Sequence, residues 1–333
     1  MSPTRWLLLP LLVWGTIAPS ARAAPASGDR WRRPLAHRNQ FPPALLFLSL
    51  EPERGDVLGK KEVLLSFDFS YSNILANHML SSESLLIDME YLRSLARIGL
   101  GLGRGFELDA SLPVLTMYGG FLDGFVSGFH RVFGLPNNLR SKTPNGLFQY
   151  RYLVGDRILL ERSKSGTTVG DVSFELKKTL LGGERERNEL ALRGAMKLPT
   201  GSLDRLTGSG ATDFGLGIAA SRVGSRFGGY FNLNYQFLGS TSDLTAKDFL
   251  SFMGAFDFRF KRSLAMIVQI DQFQPILESA IGVLDQPGRE LVVGLRWRHS
   301  DRLEYEWRLA EDLSTTSPDF SLGFQVGWGW ERP

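Results

Sequence analysis

The chain contains no cysteine. Disulfides, thiolate metal sites, a cysteine nucleophile and a lipid-modified N-terminal cysteine are therefore excluded. Histidine is scarce: only His37, His78, His130 and His299 are present, and no two stand at a metal-ligand spacing. Excess charge of one sign is also lacking. The formal net charge is +3, and it falls to about +1 without Arg5 and Arg22 of the leader described below, which gives no electrostatic reason to bind nucleic acid. Beyond the N-terminus no stretch approaches the roughly 18 uninterrupted apolar residues of a membrane-crossing helix. Gly101 to Gly105 is glycine-rich but reads as a β-turn, not a phosphate cradle, and no cofactor motif is found.

What is present begins with an export signal. Arg5 gives a positive start, Trp6 to Ala18 is a short apolar core, and Ala21-Arg22-Ala23 is the small-x-small pattern read by signal peptidase. Cleavage is expected near Ala23. Residues 24–61 hold several prolines and no sustained alternation, so they read as a periplasmic arm or an inserted plug, with a short strand expected at Leu45–Leu50. The basic run Arg30, Arg32, Arg33 and Arg38 reads as a solvated tail or as a contact with anionic lipid or another envelope protein.

From Glu62 onward apolar residues recur at every second position, the period of a strand. Leu65, Phe67, Phe69 and Tyr71 alternate with Ser66, Asp68 and Ser70; Leu303, Tyr305, Trp307 and Leu309 alternate with Glu304, Glu306 and Arg308; Phe320 to Trp330 alternates with serine, glutamine and glycine. Runs that are greasy on one face and charged or glycine-rich on the other match membrane-spanning strands. The stretch Ser84 to Leu102 changes phase near Arg93, which suggests a bulge. Short connections (Gly103 to Gly105, Leu181 to Arg187, Arg222 to Arg226, Lys261-Arg262, His299-Ser300) alternate with long ones, as at the two ends of an outer-membrane barrel. Unpaired sheet edges in hydrocarbon cost several kcal/mol per backbone group, so the sheet must close. The fold class expected is all-β: a transmembrane antiparallel β-barrel over 62–333 of about 12 strands, or 14 if a hairpin in the longest loop joins the wall.

That loop, Tyr118 to Thr168, carries a helical pattern. Phe121, Leu122, Phe125, Phe129 and Phe133 share one face, Asp123 sits in the first turn, and Gly134 and Pro136 stop the helix. With His130 these residues form a candidate lid or plug; the alternative is an amphipathic helix on the rim or in the outer leaflet. The candidate lumen charges are Asp88, Glu90, Glu107 and Asp109 with Asp68 on early strands, and Arg296, Arg298, Arg302 and Arg308, with Glu304 and Glu306, on late ones. They imply either a transverse field that selects solutes or an ion-pair network that fills a narrow lumen. His130, Ser127 and Asp123 lie along one expected helix, where a catalytic triad cannot converge from a rigid frame. The protein is therefore not read as an enzyme.

Arg38-Asn39-Gln40-Phe41-Pro42, Gly119-Gly120-Phe121-Leu122-Asp123-Gly124 and His130 through Pro136 resemble an uncharacterised family of bacterial outer-membrane proteins, a domain of unknown function. Lys197-Leu198-Pro199-Thr200-Gly201, then Gly208-Ser209-Gly210 and Asp213, resemble the meta-pathway phenol-degradation transporter-like barrels. The resemblance implies a barrel in a Gram-negative outer membrane and passage of small molecules; it carries no catalytic residues. In such barrels a terminal aromatic residue is read by the assembly machinery, whereas here Trp330 is followed by Glu331, Arg332 and Pro333.

The function expected is a passive channel or transporter-like barrel; the alternatives are a structural or interaction protein of the envelope with a filled lumen, or a lipid-acting enzyme. The partners expected are outer-membrane lipid, the barrel-assembly machinery and a small apolar or amphipathic solute.

Overall fold

The computed structural model describes residues 31–120, 128, 146–182, 187–241, 244–314, 316–318 and 320–332. After one helical turn, α1 (Pro42–Leu45), come β1 (Glu62–Met79), β2 (Glu83–Gly103), β3 (Phe106–Tyr118), β4 (Gln149–Val154), β5 (Arg157–Arg162), β6 (Gly166–Val169), β7 (Ser173–Leu181) and β8 (Asn188–Lys197). They are followed by β9 (Asp213–Val223), β10 (Phe227–Phe237), β11 (Phe249–Lys261), β12 (Leu264–Phe273), β13 (Gly288–Arg298), β14 (Leu303–Asp312) and β15 (Phe320–Glu331).

Each wall strand pairs antiparallel with its neighbours, and β15 returns to β1 from Glu62↔Glu331 to Asn73↔Phe320. The ring is closed by 12 strands, β1 to β3 and β7 to β15; β4, β5 and β6 stand outside it. The β4–β5 hairpin extends the upper end of β2, from Glu83↔Val154 to Asp88↔Gln149. Below that point β2 pairs with β3, so the hairpin does not enlarge the ring to the alternative of 14. The short β6 pairs with the upper end of β3, above β7.

Alternation sets the two faces. Phe67, Leu216, Phe256, Val293, Trp307 and Trp328 are exposed on the outside. An exposed apolar band of this extent fits hydrocarbon, not water. Near the short-turn end, rings stack on the outer wall: Trp297 on Tyr305 at 5.5 Å, Tyr305 on Trp307 at 6.0 Å and Phe227 on Phe256 at 5.6 Å.

Two sequence expectations are corrected. Leu45–Leu50 is not a strand: α1 ends there, because Pro42 and Pro43 favour a first helical turn and supply no ladder N–H. β2 has no bulge at Arg93 either, since its register against β1 is unbroken from Val63↔Leu100 to Met79↔Ser84. Its inward set runs Leu85, Ile87, Met89, Tyr91, Arg93, Leu95 and Arg97. The apparent change of phase arises because the barrel inverts its polarity near the long loops. There Leu85, Ile87, Met89, Tyr91, Leu115, Met117, Tyr150 and Tyr152 join Phe41, Leu46, Phe47, Leu206 and Leu284 in a buried apolar cluster that closes the mouth.

Candidate functional site

Residues 31–58 lie inside the barrel. The segment enters at the short-turn end, rises to the mouth, turns through α1 and descends again. Pro34 lacks an N–H, and no residue of this segment joins a strand ladder. Its backbone groups therefore need partners from the wall, and the lumen side chains supply them.

The ascending leg is cationic. Arg32 Nε donates to Asp257 Oδ2 at 3.0 Å, and a second guanidinium nitrogen pairs with Oδ1 of the same carboxylate. Arg33 meets Glu304 at 2.6 Å and Gln325 at 2.8 Å. The N–H groups of Leu35 and Ala36 donate to Gln269 at 2.9 Å and Glu306 at 3.0 Å. Arg296 donates in turn to the carbonyls of Trp31 (3.1 Å), Arg33 (2.6 Å) and Pro34 (2.9 Å). His37 Nε2 lies 3.1 Å from Glu290 Oε2.

At the tip, Asn39 Oδ1 accepts from the Phe41 N–H at 2.7 Å, an Asx turn. Arg38 donates to the carbonyls of Ala44 (2.8 Å) and Phe47 (3.0 Å), at and just beyond the end of the short helix.

The descending leg meets the opposite wall. Lys197 Nζ donates to the Leu46 carbonyl at 2.9 Å and lies 2.7 Å from Asp171 and 3.0 Å from Asp213. Arg193 donates to the Glu51 carbonyl at 2.7 Å while paired with Glu175. Glu51 pairs with Arg93 at 2.6 Å, and Glu53 with Arg97 at 2.6 Å and Lys177 at 3.0 Å. Asn232 makes a two-way amide bridge to the Glu53 backbone, at 2.7 and 2.8 Å. Arg54 Nε donates to Glu189 at 2.7 Å, and the Leu58 N–H to Glu107 at 2.6 Å.

Of the charges expected in the lumen, Glu107, Asp109, Arg296, Glu304, Glu306 and Arg308 are buried on its inner face, and Arg308 Nη1 pairs with Asp68 at 2.7 Å. Arg298 is half-buried at the short-turn end of that face. Arg302 precedes β14 in an exposed turn. Asp88 and Glu90 are not lumen residues. Glu90 lies opposite Asn73 and Tyr118, on the face that carries Phe67 and Phe69, and its carboxylate accepts from Tyr71 Oη and from Asn73 Nδ2 at 2.8 Å. The inverted polarity of the upper wall put these acids outside. The candidate lid, Phe121 to Phe133 with His130, falls outside the described residues.

Sequence reasoning missed Arg93, Arg97, Lys177, Arg193, Asp257 and Glu290. The signal was there: each is a single charge at an inward position of an alternating strand. With the segment in place little space remains. The cavity among Arg38, Glu51, Arg93, Arg97 and Lys197 measures ≈ 70 Å³, and that beside Arg33, Glu53 and Gln325 ≈ 40 Å³.

The architecture has solved counterparts. An outer-membrane channel from Pseudomonas putida F1 is similar at a TM-score of 0.55 and 12% identity, over 85% of this chain and 100% of that one. The NanC porin gives 0.45 at 8% identity, over 81% and 100%. The CymD monoaromatic hydrocarbon channel gives 0.39 at 11%, over 83% and 89%. No curated protein matches. The first likeness shows an outer-membrane barrel fold. Residues 20–330 match the family described as "Protein of unknown function (DUF3187)", and the chain belongs to that family.

Proposed function

We propose that the protein is a passive outer-membrane channel for small molecules, closed by its own N-terminal arm. One observation carries this reading: a closed wall surrounds a polar lumen whose contents, residues 31–58, are tethered by side chains and not by a strand ladder. Such a plug can shift without opening the barrel. Short turns mark the periplasmic end of such barrels, so the arm starts and finishes in the periplasm, after signal cleavage near Ala23. The division is then an arm and plug over 24–61 and a barrel over 62–333, folded into lipid by the barrel-assembly machinery. The solute is amphipathic, since its path crosses an apolar mouth and a charged lumen. No catalytic role is proposed.

A cross-link tests the reading. The chain has no cysteine to interfere, and a Cβ on Gly215 of the wall would run into Leu50 Cδ1 of the arm. The full-length variant L50C/G215C should be silent in planar bilayers when oxidised and conduct after reduction. Equal behaviour in both states overturns the gating role of the arm. Silence in both, in a protein whose disulfide has demonstrably been reduced, overturns the channel.

A second reading, an envelope protein with a permanently filled lumen, is favoured by the small residual cavities. It predicts that silence.

A further inference from the structure

The two halves of the lumen wall are electrically unequal. Around the descending leg, Arg93, Arg97, Lys177, Arg193 and Lys197 stand among Glu107, Asp109, Asp171, Glu175, Glu189 and Asp213, so bases and acids nearly match. Around the ascending leg the wall presents Asp68, Asp257, Asp271, Glu290, Glu304 and Glu306, all buried. Among the described residues its buried cations there are Arg296 and Arg308. Arg298 and Arg259 add half-buried positive charge at the short-turn end of that face, and the leg itself adds more, through Arg32 on Asp257 and Arg33 on Glu304, with His37 against Glu290. These acids are spread over the height of the wall: Asp271 is opposite Glu290 across β12 and β13 near the long-loop end, and Glu304 and Glu306 lie toward the short-turn end of adjoining β14, across from Arg298 and Arg296.

When the ascending leg moves aside, its guanidinium groups go with it and the acids stay on rigid strands. The vacated side of the lumen then carries more carboxylates than bases, with no matching excess of bases on the other. Carboxylates lining a narrow pore favour cations and repel anions. We infer that the opened channel selects cations, and that its permeant solutes are small amphipathic molecules bearing a positive charge. The arm's arginines serve as surrogate cargo: they occupy the cation sites in the closed state. This inference rests on the proposed channel.

The test uses the full-length protein with R32Q/R33Q, which removes both guanidiniums from the leg without adding charge. In planar bilayers under a tenfold potassium chloride gradient, the expected result is conductance whose reversal potential shifts toward the potassium equilibrium potential. Adding D257N/E304Q should move it back toward zero. A conducting channel with a reversal potential at zero or on the chloride side overturns the inference and leaves the channel standing. A reversal potential unmoved by D257N/E304Q does the same. The spontaneous openings of the unaltered protein provide a second measurement independent of the variants' folding, and they should carry the same sign. If neither protein conducts, the channel reading falls and this inference with it.

Discussion

Arg97, on β2, reaches across the lumen to Glu53 of the arm, with Nη1 2.6 Å from Oε1. Its Nε donates to Asp109 at 3.1 Å. One guanidinium thus ties the wall to itself and to the plug. Removing one partner of a buried pair typically costs about 3–5 kcal/mol, because the other charge is left uncompensated. Here both partners keep some exposure, so the lower end applies. Arg97→Gln should loosen the descending leg, seen as faster proteolysis within 31–58 and an earlier melting step. E53Q/R97Q should recover part of the loss, since neither charge is then stranded. A double variant as labile as R97Q alone would show that this pair does not hold the arm.

Gly55 passes so close to the wall that a Cβ there would stand 2.7 Å from the Glu189 carbonyl oxygen and 2.9 Å from that of Ala219. Both obstacles are backbone atoms of strands locked in the ring, so the arm must yield. Gly55→Ala should destabilise arm docking by about 1–3 kcal/mol, the usual range for overpacking. A Cβ at Gly254 meets nothing within 4 Å, so Gly254→Ala should leave protease resistance of the arm unchanged. Equal resistance of both variants would mean that the leg is not seated against β8 and β9.

Val293 projects outward from the middle of β13, between the inward Val292 and Gly294. If lipid covers this face, Val293→Arg should cost about 2–4 kcal/mol at the bilayer midplane. Urea unfolding in liposomes measures it. A loss under about 1 kcal/mol, the value near an interface, would place Val293 away from the hydrocarbon centre.

The barrel was legible because alternation is a local property that every wall strand displays. Trp297 and Arg296 need no distant partner to announce opposite faces. The strand count and the short-turn end followed from the connections. The arm was not legible in detail, since its contacts join residues far apart in sequence: Arg32 to Asp257 and Arg33 to Glu304 leave no periodic trace. The rule that polar side chains face inward failed on upper β2. There the inside is an apolar plug around Tyr91 and Met89, and the acids Asp88 and Glu90 turn outward. The same failure concealed Arg93 and Arg97, whose inward phase was assigned to a bulge that does not exist.

Glu90 accounts for one more glycine. Gly120 follows β3 with φ +78°, a conformation that costs a side-chain-bearing residue roughly 1–2 kcal/mol. A Cβ there would also run into the Glu90 carboxyl group. That carboxylate cannot swing away freely, because Glu90 is fully buried and accepts from Asn73 and Tyr71. Gly120→Ala should therefore detach the start of the longest loop from the outer wall, by more than the backbone term alone. Truncating the obstacle separates the two contributions. E90A/G120A should be less destabilised than the two single losses sum to, since the collision disappears and only the φ strain persists; for residues in contact such coupling is about 0.5–3 kcal/mol. Proteolysis of the loop and the melting temperature of the four proteins in the cycle give the answer. Simple additivity would mean that Gly120 is required for its left-handed backbone alone, and that Glu90 does not anchor the loop.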